Sequence, residues 1–411
     1  MYRNVSMIEV DMKDKLLQIE KDAYRFFRDF TSFNQLNHTY GLTLDHTEKD
    51  IYTIAAVGYF LPSLIIGAER GYISKEEALE KTINTLKNLQ NIEHKNGLFV
   101  HFVDKNGHRY QKTEYSTIDT WIAFMGMLAV DSYFKNQEVS ALVMYFINRF
   151  DFKWLIFEQD NKKYFRMSYN PDKGGSYVEG EPGFIYRWHM LSEPLFVYIL
   201  FAGLNDDHEE SLQLYEGFDR TIKTYKSNSF YHTPGNTLFV YQLPLGFINF
   251  KNYTDQNDIN WYDNGVKAIR ANYESSIENH RDPILKDYGW GATASDSPFG
   301  YRVYGPIPAA THLNYPDGTY SPSAIISSIP FLEEISVNTL KEFDKYPVSG
   351  KYGYYDSFNL RENWVSSRYY GFNKGMELIF SNLKIDGLIQ TLITEHPIIQ
   401  QGFKNLKFRR V

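Results

Sequence analysis

Three acidic residues stand where their neighbours could tune them for proton transfer. Glu193 ends the run Trp188-His189-Met190-Leu191-Ser192-Glu193, and after Pro194 the apolar stretch LFVYILFAGL begins. Asp119 lies in Ser116-Thr117-Ile118-Asp119-Thr120-Trp121, and Asp356 in Tyr352-Gly353-Tyr354-Tyr355-Asp356-Ser357-Phe358-Asn359. Burial pushes a carboxyl toward its protonated form, which suits an acid; a carboxylate that stays ionised can act as a base. Two more acids, Asp296 and Asp317, fall in Gly289–Phe331 among Trp290, Tyr301, Arg302, Tyr304 and Tyr320. Gly and Pro interrupt helix and strand there, and the segment is too aromatic to be disordered. Aromatic walls with carboxylates and an arginine suit a sugar, which offers apolar ring faces and hydroxyls.

Each candidate also has a purely structural reading. A glutamate at a helix start is favoured by the macrodipole, which would lower the Glu193 pKa. Ser116-x-x-Asp119 is a capping box, and that role alone would explain Asp119. Asp356 in its loop, and Asp296 and Asp317 in SDSP and YPDGT, could bond locally as turn aspartates. Arg302 could grip hydroxyls, orient a carboxylate or form an ion pair. Trp121, Trp188, Trp290 and Tyr301 are the stacking candidates, with the core as the alternative for each.

Other chemistries find no support. With no cysteine there is no thiolate, disulfide or Cys-ligated zinc. The eleven histidines form no HxxxH or HExxH pattern, and no GxSxG or Walker loop occurs, so neither a metal nor a cofactor is expected. A net charge of −7 with scattered basic residues argues against nucleic acid. The apolar run 54–67 is interrupted by Gly58, Pro62 and Ser63, too short to span a bilayer, and no signal-like region opens the chain. The expectation is a soluble, cytoplasmic monomer that does not engage membranes.

The elements that must position these residues are mostly helices. Periodicity predicts helices near 9–30, 51–69, 74–91, 116–135, 137–150, 192–204 and 207–226, then near 256–279, 321–344 and 363–394. Ser74 and Glu77 form a second capping box; Asn106-Gly107 and a Gly-rich turn at 172–175 mark hairpins. Aromatic residues make up 17% of the chain, more Tyr and Trp than a core requires. With no βαβ rhythm and no linker, 1–411 reads as a single all-α domain of paired helices, for which a closed (α/α)6 toroid is the natural packing.

The strings TASDSPFGYRVYGP, DGTYSPSAIISSIPFLEE and YGYYDSFN closely resemble the bacterial glucoamylase-like domain, a group with the family 144 endo-β-1,2-glucanases and modules of cyclic β-1,2-glucan synthases. The dense match spans about 180–405; LPSLIIGAERGYISKEEALEKTINTLKNL, GLFVHFVD and STIDTWI extend it more loosely toward the start. The resemblance implies an (α/α)6 barrel, no metal requirement, and inverting hydrolysis of a glucan by two carboxyls roughly 6.5–9.5 Å apart. Glu193 matches an acid implicated in catalysis, and Asp356 matches an acidic position that would be the base. The family's glucanases place two acids three apart where this chain has Ser116 and Asp119. Its relatives often carry Asp-Gln where this chain has Asn373-Lys374. The expectation is an inverting hydrolase of a β-glucan, β-1,2-linked by first choice, with Asp119 near the scissile sugar. An exo-acting, transglycosylating or α-linked glucan enzyme competes with it, as does an inactive oligosaccharide-binding protein. An epimerase on a related fold fits less well, because it lacks this motif string.

Overall fold

The computed structural model describes residues 2–36, 38–172, 182–309 and 314–411; the expected turn at 172–175 falls largely outside them. The chain forms two compact units. One comprises Met1–Phe26, Arg220–Asn252 and Ile259–Gln390, and the other Phe27–Asp219, Tyr253–Asp258 and Thr391–Val411. Fourteen α-helices dominate the described residues, and strands are short. No helix among them is long and apolar enough to cross a membrane.

In the second unit, Ile54–Glu69 lies against Thr117–Phe134. Both helices are apolar nearly all round, so both are core helices rather than surface ones. They touch through glycines: a Cβ on Gly126 would meet the Gly58 carbonyl oxygen at 2.7 Å. Leu195–Leu204 pairs with Pro397–Asn405 in the same way. A Cβ at Gly203 would lie 1.9 Å from the Ile398 oxygen, and one at Gly402 would lie 1.9 Å from the Ile199 oxygen. That crossed pairing makes the two helices antiparallel, with backbones too close for any side chain between them. Every residue from Leu195 to Ala202 is buried. A sheet built from Tyr115–Ser116, Ile156–Gln159, Lys162–Tyr169 and Phe184–Arg187 closes this unit's loops.

In the first unit, Leu238–Phe247 packs on Trp261–Asn279 and on Gly371–Ile385, which also meets Pro322–Ile326. Between these helices run two-residue strands. Thr319–Tyr320 pairs with Phe358–Asn359, which pairs with Trp364–Val365, and Ala294–Ser295 pairs with Arg302–Val303.

Several expected boundaries move. The 207–226 helix stops at Gly217, packed 1.9 Å (as a virtual Cβ) from the Lys163 oxygen, and Ile222–Tyr225 turns back on Asn228–Tyr231 through Lys226 at φ +51°. The 321–344 helix breaks near Pro330 into Pro322–Ile326 and Glu333–Phe343. The 363–394 stretch yields a strand, Gly371–Ile385, and Leu388–Thr394 beyond Gly387 at φ +67°. Leu238–Phe247 and Pro397–Asn405 lie outside the predicted helices, and each contains a proline. Pro397 occupies the first helical turn, where its missing N–H costs nothing.

Candidate active site

The second unit gathers Asp119 and Glu193. Ser116 ends a strand registered on Ser168, which fixes where the Thr117–Phe134 helix begins. The expected cap forms: Ser116 Oγ accepts from the Asp119 N–H at 3.4 Å, as Ser74 Oγ does from Glu77 N–H at 3.0 Å. The Asp119 carboxyl does more than cap. One oxygen takes the Ser116 hydroxyl, and the other lies 3.6 Å from His101 Nε2. The His101 Nδ1 sits 2.8 Å from Glu114 Oε1.

Burial alone would lower the imidazole pKa, but Asp119, Glu114 and Asp45 overcome it and raise it to about 9. The His101 hydrogen bond, working against burial, draws Glu114 down to about 2. Burial pushes Asp45 up to about 6, with the His101 charge pulling the other way. Sequence reading missed His101, Glu114 and Asp45. His101 and Glu114 are thirteen residues apart on different strand edges, so no local spacing announces them.

Glu193 precedes Pro194, the N-cap of Leu195–Leu204. The contest between dipole and burial goes to burial, which raises its pKa foremost; the Ser192 hydroxyl lowers it and the Asp119 charge raises it. The residue as a whole keeps part of its surface open. Trp188 holds its indole N–H on Thr117 Oγ1 at 3.1 Å and is largely buried. Trp121 is fully buried against Phe150 and Phe165. It has no open ring face, so its expected role as a stacking platform is corrected to core packing.

The first unit gathers Asp356 and Asp296. Asp356 does not behave as a turn aspartate closed on its own loop. Its Oδ2 accepts from the Asp296 N–H at 2.7 Å and its Oδ1 from Asn373 Nδ2 at 2.5 Å. Burial raises it to about 6; those two donors and Lys374 work against the rise, and the Asp296 charge adds to it. Asp296 is held by Ser366 Oγ at 2.9 Å and lies 3.5 Å from Arg368 Nη1. A buried Lys374–Glu377 pair at 2.7 Å sits on the next helix turn, with Glu377 raised to about 7 by burial foremost. Arg368, Ser366 and Glu377 were missed, since nothing in their spacing distinguishes them from ordinary polar residues.

The remaining candidates divide. Tyr301 is 55% exposed, with its ring 5.6 Å from Tyr370, and Arg302 lies over Phe299 at 4.9 Å. Both are thus partly exposed. Asp317 bonds locally, accepting from the Thr319 N–H at 3.0 Å and from the Tyr304 hydroxyl at 2.9 Å. Trp290 is fully buried and donates to Thr339 Oγ1 at 2.8 Å, so its stacking role is corrected to core as well. Among the described residues no group of three or more His, Cys, Asp or Glu could hold a metal ion.

Known proteins share this fold. A curated relative, an exo-β-1,2-glucooligosaccharide sophorohydrolase (non-reducing end) of Parabacteroides distasonis, is 23% identical over 399 residues, covering 87% of this chain and 53% of its own. The chain thus spans about half the length of that relative. An endo-β-1,2-glucanase from Chitinophaga pinensis, solved with sophorotriose and glucose, superposes with a TM-score of 0.80 at 22% identity, covering 97% of this chain and 98% of that one. A β-1,2-glucanase from Parabacteroides distasonis gives 0.77 at 21% identity, over 96% and 60%. The Glycoamylase family model, described as "Putative glucoamylase", matches residues 185–397. That match covers just over half of the chain, which therefore belongs to the glucoamylase-like family.

Proposed function

We propose that this protein is a glycoside hydrolase that cleaves β-1,2-linked glucan or its oligosaccharides with inversion, and that Glu193 is its general acid. The observation that carries the reading is the Glu193 carboxyl, kept toward its protonated form by burial and by the Asp119 charge while the residue retains an open face. Asp119 and Asp356 are the other proposed catalytic carboxylates, each to be tested on its own. Trp188, Asp296, Tyr301, Arg302 and Asp317 remain proposed sugar contacts. The (α/α)6 barrel belongs to the same reading, supported by the likeness to β-1,2-glucanase structures.

The assay is release of reducing ends from β-1,2-glucan and sophoro-oligosaccharides, with NMR of the first anomer formed. Loss of the acid should lower turnover about 10²–10⁴-fold in Glu193→Gln. Unchanged turnover removes Glu193 from the role, and a retained anomer removes inversion. A second reading, an oligosaccharide-binding protein without activity, draws on Ser116, whose hydroxyl sits on Asp119 where glucanases carry an acid. Measurable binding without release from any glucan would favour it.

A further inference from the structure

Asp356 is buried and bonded on both oxygens, and its two partners are not equivalent. The Asp296 N–H on Oδ2 is backbone, just past the strand Ala294–Ser295, and a backbone N–H can only donate. It is also held in place. The Ser297 N–H bonds the Asp296 carboxyl at 3.1 Å, and the Asp296 carbonyl accepts from Ser357 Oγ at 2.7 Å. Ser357 Oγ lies 3.5 Å from Oδ2, at the edge of bonding range, so its proton serves the Asp296 carbonyl first. Oδ2 thus keeps a fixed donor, and a proton placed there would lose it.

Oδ1 is different, because Asn373 Nδ2 alone among the described residues bonds it, at 2.5 Å. Asn373 is the third residue of Gly371–Ile385, and its backbone carbonyl takes the Ser323 hydroxyl at 3.1 Å. Those contacts fix where the side chain starts and leave its last bond to rotate. A carboxamide carries a donor and an acceptor of nearly equal size, and half a turn exchanges them. Among the described residues no donor holds the Asn373 Oδ1, so the turn breaks only the bond to Asp356.

We infer that Asn373 is a positioning residue whose amide turns over with the charge on Asp356: Nδ2 donates to the ionised carboxylate, and Oδ1 accepts from the protonated carboxyl. Its catalytic meaning rests on Asp356 being the proposed base; its test does not. A base gains a proton as water attacks, and a donor fixed on it opposes that gain. With the amide free to turn, the proton leaving the water settles on Oδ1 and its O–H bonds the turned amide. Each carboxyl oxygen then has one bond in both states, and the reverse turn follows when the proton passes to solvent. Other titratable groups face Asp356 from the elements around it. Asp296 does so from its hairpin, Tyr370 from the N-cap of the Asn373 helix, and Lys374 and Glu377 from that helix itself. Asn373 carries no charge, so its contribution is separable from theirs.

The test begins with the unmodified full chain, labelled at asparagine amides and aspartate carboxyls and assigned with Asn373→Leu and Asp356→Asn. In an NMR titration the Asp356 carboxyl should change state near pH 6, the value to which burial raises it, and the Asn373 amide signals should move with the same midpoint. The bonded amide proton should lie downfield at about pH 8 and lose that shift at about pH 4.5. Asn373→Leu removes donor and acceptor at similar volume. The bond lost from the anion is about twice as strong as the one lost from the acid, so the Asp356 midpoint should rise by about one unit. If the protein turns over β-1,2-gluco-oligosaccharides, the acid limb of kcat/KM should rise by the same amount. An asparagine that only packs would lower stability without moving that limb. An amide proton that stays downfield throughout, or an Asp356 midpoint unmoved in Asn373→Leu, overturns the inference whether or not the protein is active. Absence of hydrolysis with the expected titrations overturns the hydrolase reading and leaves the turning amide standing.

Discussion

Gly402→Ala separates two opposed expectations, and its sign is informative. By helix propensity alone, replacing a glycine inside Pro397–Asn405 with alanine should stabilise by about 1 kcal/mol. Packing says otherwise. The new methyl would lie 1.9 Å from the Ile199 carbonyl oxygen and 3.0 Å from Ile199 Cγ2. An ordinary contact is about 3.5 Å, so the helices must separate by about 1.5 Å. The obstacle is backbone in the middle of a buried helix, which no rotamer change can clear. Overpacking of this kind costs about 1–3 kcal/mol, and a gap of this width also forfeits a quarter to a half of the dispersion across the seam. The net effect is a loss of about 2 kcal/mol, equivalent to roughly 4–8 °C in Tm for a cooperative unit of 150–250 residues. With Glu193 as the proposed acid, just before Leu195–Leu204, activity should follow, since a shift of about 1 Å can cost about 10²-fold in rate. Calorimetry of both proteins, with kcat on the best β-1,2-oligosaccharide, measures the two effects. A Tm equal to or above the parent's refutes the reasoning.

Two other outcomes test particular contacts. Trp290→Phe removes the indole N–H bonded to Thr339, leaving a buried hydroxyl without its donor, so stability should fall by about 1–3 kcal/mol while sugar affinity stays unchanged; a weakened affinity with intact stability would restore Trp290 as a platform. Asp356 should make stability pH-dependent. Its folded pKa of about 6 lies above the ordinary 3.8, so the favourable contribution is full below about pH 4 and is lost as pH rises through 6. Asp356→Asn should therefore gain on the parent between pH 4.5 and 8, by at most about 3 kcal/mol for a carboxyl raised from 3.8 to about 6. A stability difference that does not vary with pH would contradict the assignment.

Much of the architecture could be read from the chain because apolar periodicity and caps are local signals. Thr117–Phe134 and Lys75–Leu89 begin where their serine caps place them. Leu238–Phe247 lies outside the predicted helices, and the hydrogen bond lost at its Pro244 is outweighed by burial along most of its length. Trp290 misled for a related reason. An indole has a polar handle that can serve a sugar or a neighbouring hydroxyl, and only the fold reveals that Thr339 takes it from Trp290 and Thr117 from Trp188.

The acids illustrate the limit more sharply, since identity and local sequence fix neither protonation nor reach. Glu193 and Asp356 are both raised by burial, yet they are covered differently. Asp356 has a donor on each oxygen, from Asp296 and Asn373, so a ligand must displace one of them before this carboxylate can accept anything else. Glu193 has the Ser192 hydroxyl on one oxygen and part of its surface open. The second arrangement is the one that the role proposed for Glu193 requires, since its proton must be handed outward. A carboxylate in the first arrangement, as Asp356 is, must open one of its two bonds before it can take up the proton its proposed role requires. The partners that make this difference come from Asn373, seventeen residues beyond Asp356, and Asp296, sixty residues before it. No window along the chain contains them both, so the division of labour between two similar-looking acids is a property of the fold.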